Sequence, residues 1–428
     1  MQRVEGPRGA KGVTSGRIVH VIGAGLAGLA AAIELTRRGA RVTLHEAAPR
    51  AGGRCRSYFD RTLGQTIDNG NHFVFSGNQA VRRYLGVLGT ADRLEGPKHA
   101  DFAFHDLRDG ARWTLAINDS PLPWWVLDPS RRTPGTTLGE HLALARLALS
   151  RQGPATIADR VDSQGAFWDR VVDPMMLAVL NCPPAEGSAW LAGRFLRESF
   201  ARGGRACRTM VAVPNLDAVF VDPALTWLST RGVTVRFGAR LRGIAMEGDD
   251  VVALDFGAGA EPLGDAGVVL AVPPWVAGEL VAGLVVPDRF CSILNAHFAC
   301  PAPPGARAIT ALIGGTAQWV VCHPDRISIT ISGADDLIDA DREELAARIW
   351  KDIVATLGCD APMPTWQIVK EKRATFAATP DQDARRPATR TRWRNLFLAG
   401  DWTQTGLPAT IEGALRSGEA AARLAIAS

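Results

Sequence analysis

Apolar and polar positions divide the chain into short buried runs separated by helical stretches. Ile18 to Ile22 is a β-branched apolar run too short for a helix, which predicts a buried parallel strand. Leu26 to Arg38 is dense in Ala and Leu and stops at Gly39, so it predicts a helix. A second strand, Arg41 to Leu44, ends at Glu46. Gln79 to Leu88 predicts a short helix. Residues 100 to 117 alternate about Phe102, Phe104, Trp113, Leu115 and Ile117, the pattern of an antiparallel hairpin turning near Asp109-Gly110. Thr136 to Ser150 predicts a helix. Phe167 to Phe200 predicts two helices broken at Asn181-Cys182-Pro183-Pro184, because a double proline cannot continue a helix.

Met210 to Pro214 is a short apolar stretch, and Asn215-Leu216-Asp217 opens a helix running to Arg231. Gly232 to Phe237, Leu241 to Ala245, Val251 to Phe256 and Val268 to Val272 predict strands. So do Ala308 to Ile313, Trp319 to Cys322, Arg326 to Ile331 and Trp366 to Phe376. Asp341 to Leu357 predicts an amphipathic helix with Leu345, Ile349, Ile353 and Leu357 on one face. Asn395 to Asp401 predicts a last buried strand, and Pro408 to Ala414 opens a helix to Ala425.

The first strand runs directly into Gly23, Gly25 and Gly28, spaced G-x-G-x-x-G at the head of a helix. These glycines allow a tight turn, close approach of backbone to a pyrophosphate, and close packing of helix on strand. The helix N-terminus offers free N–H groups and partial positive charge to a diphosphate. Glu46, 18 residues beyond Gly28, is placed to accept hydrogen bonds from a ribose. Strand, turn, helix, strand and acid in that order point to dinucleotide binding.

Composition narrows the class. At 428 residues the chain has room for two to three domains. A net charge of +4 argues against a dedicated nucleic-acid binder, and a pI of 8.8 favours anionic membrane surfaces slightly. Seven scattered cysteines without a CxxC pair argue against a disulfide framework or a metal site and for a reducing, cytoplasmic compartment. Residues 1–16 lack an apolar core and read as a flexible tail, not a signal peptide. Pro121 to Leu127 carries Trp124 and Trp125 ahead of Arg131-Arg132, so this segment reads either as an interfacial membrane contact or as a packed helical lid. In Thr66 to His72, Asp68 and His72 read either as turn caps or as lining of an active site.

Gly52-Gly53-Arg54, just past the second strand, resembles flavin oxidoreductases of the glutathione-reductase type, where such residues meet the FAD diphosphate. The implied fold is α/β: an FAD-binding Rossmann-like domain from 17–65, 206–288 and 388–428, with a discontinuous α+β substrate domain from 66–205 and 289–387. The helical part, about 121–205, would line an apolar tunnel. The same resemblance puts Leu241 backbone at the adenine and Gly400-Asp401 at the ribityl chain. The helix start at Thr410 and Ile411 would then stabilise negative charge on the flavin N1–O2 edge.

Three stretches are similar to the hydroxysqualene dehydroxylase branch of the flavin amine oxidase and carotenoid desaturase superfamily: Leu180 to Pro184, Glu371 to Pro380, and Leu398 to Gly413. Asn215 departs from the branch pattern, which leads one to expect Arg there. The resemblance implies reductive removal of an allylic hydroxyl from a long isoprenoid lipid, with noncovalent FAD as hydride source. NAD(P)H or a separate electron donor would recharge the flavin, since no second glycine fingerprint is present. The departing hydroxyl needs a proton, and Asp68, His72 and Asp217 are the candidate acids. Peripheral contact with the inner face of the cytoplasmic membrane would give access to so oily a substrate.

Three rivals stand beside this reading. A carotenoid or phytoene desaturase would share cofactor and substrate type but run oxidatively. A flavin amine oxidase would commonly show a Tyr-bearing aromatic cage, whereas this chain has only Tyr58 and Tyr84. A non-enzymatic flavin-binding protein would show no turnover at all.

Overall fold

A computed structural model describes residues 16–359 and 361–428, so residues 1–15 of the expected tail lie outside the described residues. Its first layer is a five-stranded parallel sheet. The strand order is Thr234–Phe237, Arg41–Glu46, Ile18–Ile22, Gly267–Leu270, Leu396–Leu398. Val21 pairs with Leu44 on one side and Val269 on the other. Val19, Val21, Leu44, Val268 and Phe397 are fully buried, as strands covered on both faces require.

One face of that sheet carries the Leu26–Arg37 and Ile411–Ala427 helices, which pack against each other. They approach because Gly418 has no side chain: a Cβ there would lie 2.1 Å from the Ala27 carbonyl oxygen. On the other face lies an antiparallel meander of Gly243–Glu247, Asp250–Asp255 and Ala260–Pro262. Asn395 pins it, accepting from Val251 N at 2.8 Å and donating to Val251 O at 2.9 Å. Buried His45 stacks between His20 and Phe256 in the same interface.

The second sheet has seven strands in the order Trp366–Phe376, Phe290–Phe298, Ile327–Ser332, Trp319–Cys322, Ile309–Ile313, Ala100–Asp106, Arg112–Ile117. Its pairings are antiparallel except between Ile309–Ile313 and Ala100–Asp106. Leu294, Ala296, Phe298, Ile327, Ile329 and Ile331 pack beneath Leu345, Ile349 and Ile353 of the Arg342–Leu357 helix. Strand alternation therefore places Asn295, His297, Ser328 and Thr330 on the opposite face.

Most predicted elements fall within a residue or two of the observed ones. Three differences have local causes. Phe290–Phe298 has no counterpart in the sequence reading, because Ser292, Asn295 and His297 interrupt its apolar run; it is nonetheless a central strand. Thr66 to Asp68 is not turn but strand, Gln65–Asp68, paired with Ser57–Asp60. The helix expected from Asn215 to Arg231 begins as a π-turn, Asp217–Val221, behind a cis Val213–Pro214 bond, and ends at Ser229.

The helical layer includes Leu138–Ala148, Asp173–Leu180 and Ala189–Glu198. Asn181 ends the second of these in the left-handed region, φ 53°. Its side chain accepts from Gly333 N at 2.7 Å and donates to Thr375 Oγ1 at 2.9 Å and Cys291 O at 3.3 Å. The buried amide thus ties this layer to the second sheet.

The Gly418 contact gives a direct test. Gly418→Ala pushes a methyl into backbone that has no room to yield, so it should destabilise the protein by about 1–3 kcal/mol. A thermal melt of the variant should show a lower midpoint, and an unchanged midpoint would mean the two helices do not pack this closely.

Candidate active site

Two glycine-bearing turns converge beyond the carboxyl ends of the Ile18–Ile22 and Arg41–Glu46 strands. Gly23, φ 103°, donates to His45 O at 2.7 Å, and a Cβ on it would strike Ala271 O at 2.5 Å. A Cβ on Gly28 would lie 1.8 Å from Gly23 O, so helix and turn touch. Gly25 differs, for no atom lies within 4 Å of where its Cβ would be. Gly52 forms a parallel bridge with Gly25, and its N–H donates to Ala24 O at 2.8 Å. Gly53, φ 60°, sits with its would-be Cβ 3.4 Å from Gly25 Cα. The second motif is thereby docked onto the first, with open space above Gly25.

The Leu26–Arg37 helix has neither a side-chain cap nor an acid in its first turn, so its leading N–H groups have no intrahelical partner. Glu46 braces the turn: one carboxylate oxygen accepts from Ala24 N at 2.7 Å and the other from Ala48 N at 2.8 Å. Leu241 lies past the edge strand with its side chain buried, and neither of its backbone polar groups is engaged among the described residues. Space over glycine, unpaired helix N–H groups, a braced carboxylate and free backbone polar groups fit an adenine dinucleotide.

The carboxyl-terminal motif meets this cradle through Arg54. Its guanidinium bonds Asp401 Oδ1 at 2.6 Å and Ala374 O at 2.6 Å. Burial is the largest influence and lowers the guanidinium, but the charge and hydrogen bond of Asp401 with the charge of Glu371 together hold it above its usual range. Arg54 lies deep in the protein, yet 41% of its side chain is accessible, so it lines an internal cleft rather than the outer surface. Arg54 and Asp401, expected on the diphosphate and the ribityl chain, are paired with each other. Gly400 is held by Ser417 Oγ at 3.0 Å, and a Cβ on it would overlap the Trp402 indole. Thr410 caps the Ile411–Ala427 helix by accepting from Gly413 N at 3.0 Å. Glu412 turns away and accepts from Ala80 and Val81 N–H groups at the start of Gln79–Leu88.

The three acid candidates separate into two places. Asp68 accepts from Ser57 Oγ at 2.6 Å and Leu216 N at 3.0 Å, and Asp217 accepts from Ser57 N at 2.9 Å. Burial raises both carboxyls above their ordinary range. Asn215 accepts from Ala218 N at 3.0 Å, so it caps the π-turn beside them. Together these residues latch the strand after Arg54 to the turn after Pro214. His72 stands apart, close to Arg54; burial first, then the Arg54 charge, lower its imidazole to about 4. Its loop is fixed from the second sheet, with Asn71 donating to Thr330 Oγ1 at 3.0 Å and Thr330 to Asn295 Oδ1 at 2.8 Å.

From His72 the chain passes at once into aromatic surroundings. Phe73 lies 6.4 Å from Trp319, and Phe75 lies 5.6 Å from Phe195 and 6.2 Å from Phe200, which in turn lies 5.5 Å from Phe102. All are partly accessible, and all but Phe73 pack on the main core. Asn295, Thr330 and Arg386 escaped the sequence reading, and Asn181 entered it only as a helix break and part of a family stretch. Arg386 is fully buried, paired with Asp383 at 2.9 Å, and donates to Asp401 O and Thr403 O. The polar residues interrupting Phe290–Phe298 were the signal for Asn295; only the fold reveals the others.

Comparison with known proteins agrees with this geometry. The profile of the family described as flavin containing amine oxidoreductase matches residues 26–426. Hydroxysqualene dehydroxylase of Rhodopseudomonas palustris is 51% identical, over 96% of this chain and 99% of its own. The enzyme of the same name from Zymomonas mobilis is 46% identical over 96% and 99%. A 15-cis-phytoene desaturase of Narcissus pseudonarcissus is 23% identical, over 97% and 80%. Among solved structures, cyclohexylamine oxidase of Brevibacterium oxydans superposes with a TM-score of 0.71 at 17% identity, covering 96% of this chain and 99% of that one.

Glu46→Leu removes a charged acceptor from the cradle as well as the brace of the Gly23–Gly28 turn. Dinucleotide retention should fall roughly tenfold or more, the scale of one hydrogen bond to a charged group. Equilibrium dialysis of the loaded variant measures it, and wild-type affinity would remove Glu46 from the binding surface.

Proposed function

The chain belongs to the flavin containing amine oxidoreductase family and, within it, to the hydroxysqualene dehydroxylases, and from that premise we propose that it removes the allylic hydroxyl of hydroxysqualene reductively, giving squalene. It is an FAD-dependent oxidoreductase. In this reading Gly23, Gly25, Gly28, Gly52 and Gly53 cradle the FAD diphosphate, Glu46 takes the ribose and Leu241 backbone the adenine. Arg54, Gly400 and Asp401, with the helix start at Thr410 and Ile411, hold the ribityl and flavin end. Bound noncovalently and reduced, FAD supplies the hydride that replaces the hydroxyl. The parallel-sheet layer, from 17–65, 206–288 and 388–428, is the FAD-binding domain, and 66–205 with 289–387 is the substrate domain.

The observation that carries this reading is the passage, within four residues, from His72 at Arg54 to Phe75 in the aromatic cluster. A dinucleotide cradle there abuts a wall suited to an isoprenoid chain. Oriented binding along that wall restricts a floppy substrate and so contributes the proximity component of rate. His72 bonds the departing oxygen. Held neutral, it offers an N–H without bringing net charge into an apolar cleft, whereas Asp68 and Asp217 act through Ser57 as positioning groups. The oily substrate comes from a bilayer, so peripheral membrane contact belongs to this reading. Electrons arrive from NAD(P)H or a separate donor.

The decisive experiment is anaerobic. The loaded protein, bleached with dithionite and mixed with hydroxysqualene, should recover its yellow absorbance as squalene forms in equal amount. A flavin that stays bleached overturns the reading, and bleaching of oxidised flavin by squalene would reverse the direction. His72→Ala should slow recovery about a hundredfold, the low end of general acid effects, without loss of flavin. Asp217→Asn should instead lower the melting midpoint; a slowed rate for Asp217→Asn with an unchanged rate for His72→Ala would put the acid at Asp217.

A further inference from the structure

Large exposed apolar side chains are concentrated in one segment of the helical layer. Leu122, Trp124, Leu127, Leu142 and Leu149 are 76%, 52%, 66%, 55% and 78% exposed. The turn Trp124–Leu127 buries Trp125 and Val126 and turns Trp124 and Leu127 outward. Trp125 meets His141, and His141 meets Phe167, so the inner side of this turn is core.

The Leu138–Ala148 helix is apolar on both sides. Its inner side meets Ala189–Glu198 so tightly that a Cβ on Gly193 would lie 2.3 Å from Leu147 O. Gly139, Leu142, Arg146 and Leu149 recur at helical spacing on the accessible side. A surface helix in water carries polar residues there; this one carries leucines.

Charge around the patch is net positive. Arg131, Arg132, Arg146 and Arg151 outnumber Asp128 and Glu140, and Arg131 stacks 4.8 Å from the Trp124 ring. The two carboxylates are tied into local turns. Asp128 accepts from Ser130 N and Oγ, and Glu140 accepts from Thr137 N and Oγ1 in a capping box. Cations and indole at the rim of exposed leucines match the headgroup and acyl boundary of an anionic bilayer. A second copy of this chain fits worse, because a two-fold contact would set four arginines against four arginines. Among the described residues no helix is long and apolar enough to cross a membrane, so contact here is from one side.

We propose that the face from Leu122 to Leu149 docks on an anionic lipid bilayer and is the entrance for an oily substrate. Leu122, Leu127, Leu142 and Leu149 enter the acyl boundary, while Trp124, Arg131 and Arg146 lie at headgroup level. Across the Leu147–Gly193 contact, Phe195 meets Phe75, so docked lipid faces the aromatic interior through two helices. The purpose assigned to this surface rests on the oily-substrate reading; the surface itself does not.

Flotation of the full, FAD-loaded chain tests it, with vesicles of phosphatidylcholine alone or mixed with phosphatidylglycerol. Wild type should rise with the anionic vesicles and be released by salt. The Leu122→Ser/Leu127→Ser/Leu149→Ser variant should keep its flavin and melting midpoint but stay at the bottom. Arg146→Gln/Arg151→Gln should lose about fivefold per arginine on anionic vesicles and nothing on neutral ones. Wild type that rises with neither kind overturns the proposal. So does a wild-type dimer that the leucine variant splits with no change in flotation. Detergent-dispersed hydroxysqualene separates the two ideas: wild type that floats but never turns over dispersed substrate keeps the docking surface and loses the substrate assignment.

Discussion

Two stretches of backbone meet at Gly25 and Gly52, and the site depends on that contact. Gly52 adopts the positive φ, 103°, that its turn requires, and Gly25 leaves open the space a side chain would fill. Gly23 and Gly28 bring the turn onto its own helix, Gly418 brings the last helix onto the first, and Gly53 seats the Arg54 segment against Gly25. The close approach leaves the leading helix N–H groups uncovered beside open space. A diphosphate needs that combination, since its charge is stabilised by oriented dipoles held where no water must be reorganised. Side chains then fix the edges: Glu46 braces one end, and Arg54 with Asp401 spans to the other.

The second sheet serves the same place by a different device. One face is ordinary hydrophobic core against Arg342–Leu357. The other presents Asn295 and Thr330, which hold the loop of Asn71 and His72. Buried amides and hydroxyls are costly unless every group is satisfied, so such a network orders its loop firmly. Asn181 does the equivalent for the helical layer and joins two of the three stretches that marked the family, for its amide bonds Thr375. Those stretches share a pattern because they share a contact.

The helical layer is apolar on both sides. Its inner side completes the aromatic wall at Phe195 and Phe200, and its outer side carries exposed leucines with arginines nearby. The Leu138–Ala148 helix therefore lacks the one-sided pattern of a surface helix, and its outer leucines are what the proposed docking surface is built from.

The sequence by itself determined the α/β order of elements, the dinucleotide turn and the family. The first two rest on local physics: β-branched runs, helix-forming composition, and glycines whose conformations no other residue adopts cheaply. The family, with the Gly52-Gly53-Arg54 extension and Gly400-Asp401, was legible through resemblance of whole stretches. Tertiary structure decided the rest, because it depended on partners hundreds of residues away. Only the fold pairs Arg54 with Asp401, gives Asp68 and Asp217 to Ser57, and leaves His72 beside Arg54. Phe290–Phe298 shows the division within a single strand: its polar residues broke the apolar run that would have announced it, and one of them, Asn295, holds the loop of Asn69 and Asn71. A hydrophobic pattern reports what is buried, whereas a buried polar group is understood only when its partner is in place.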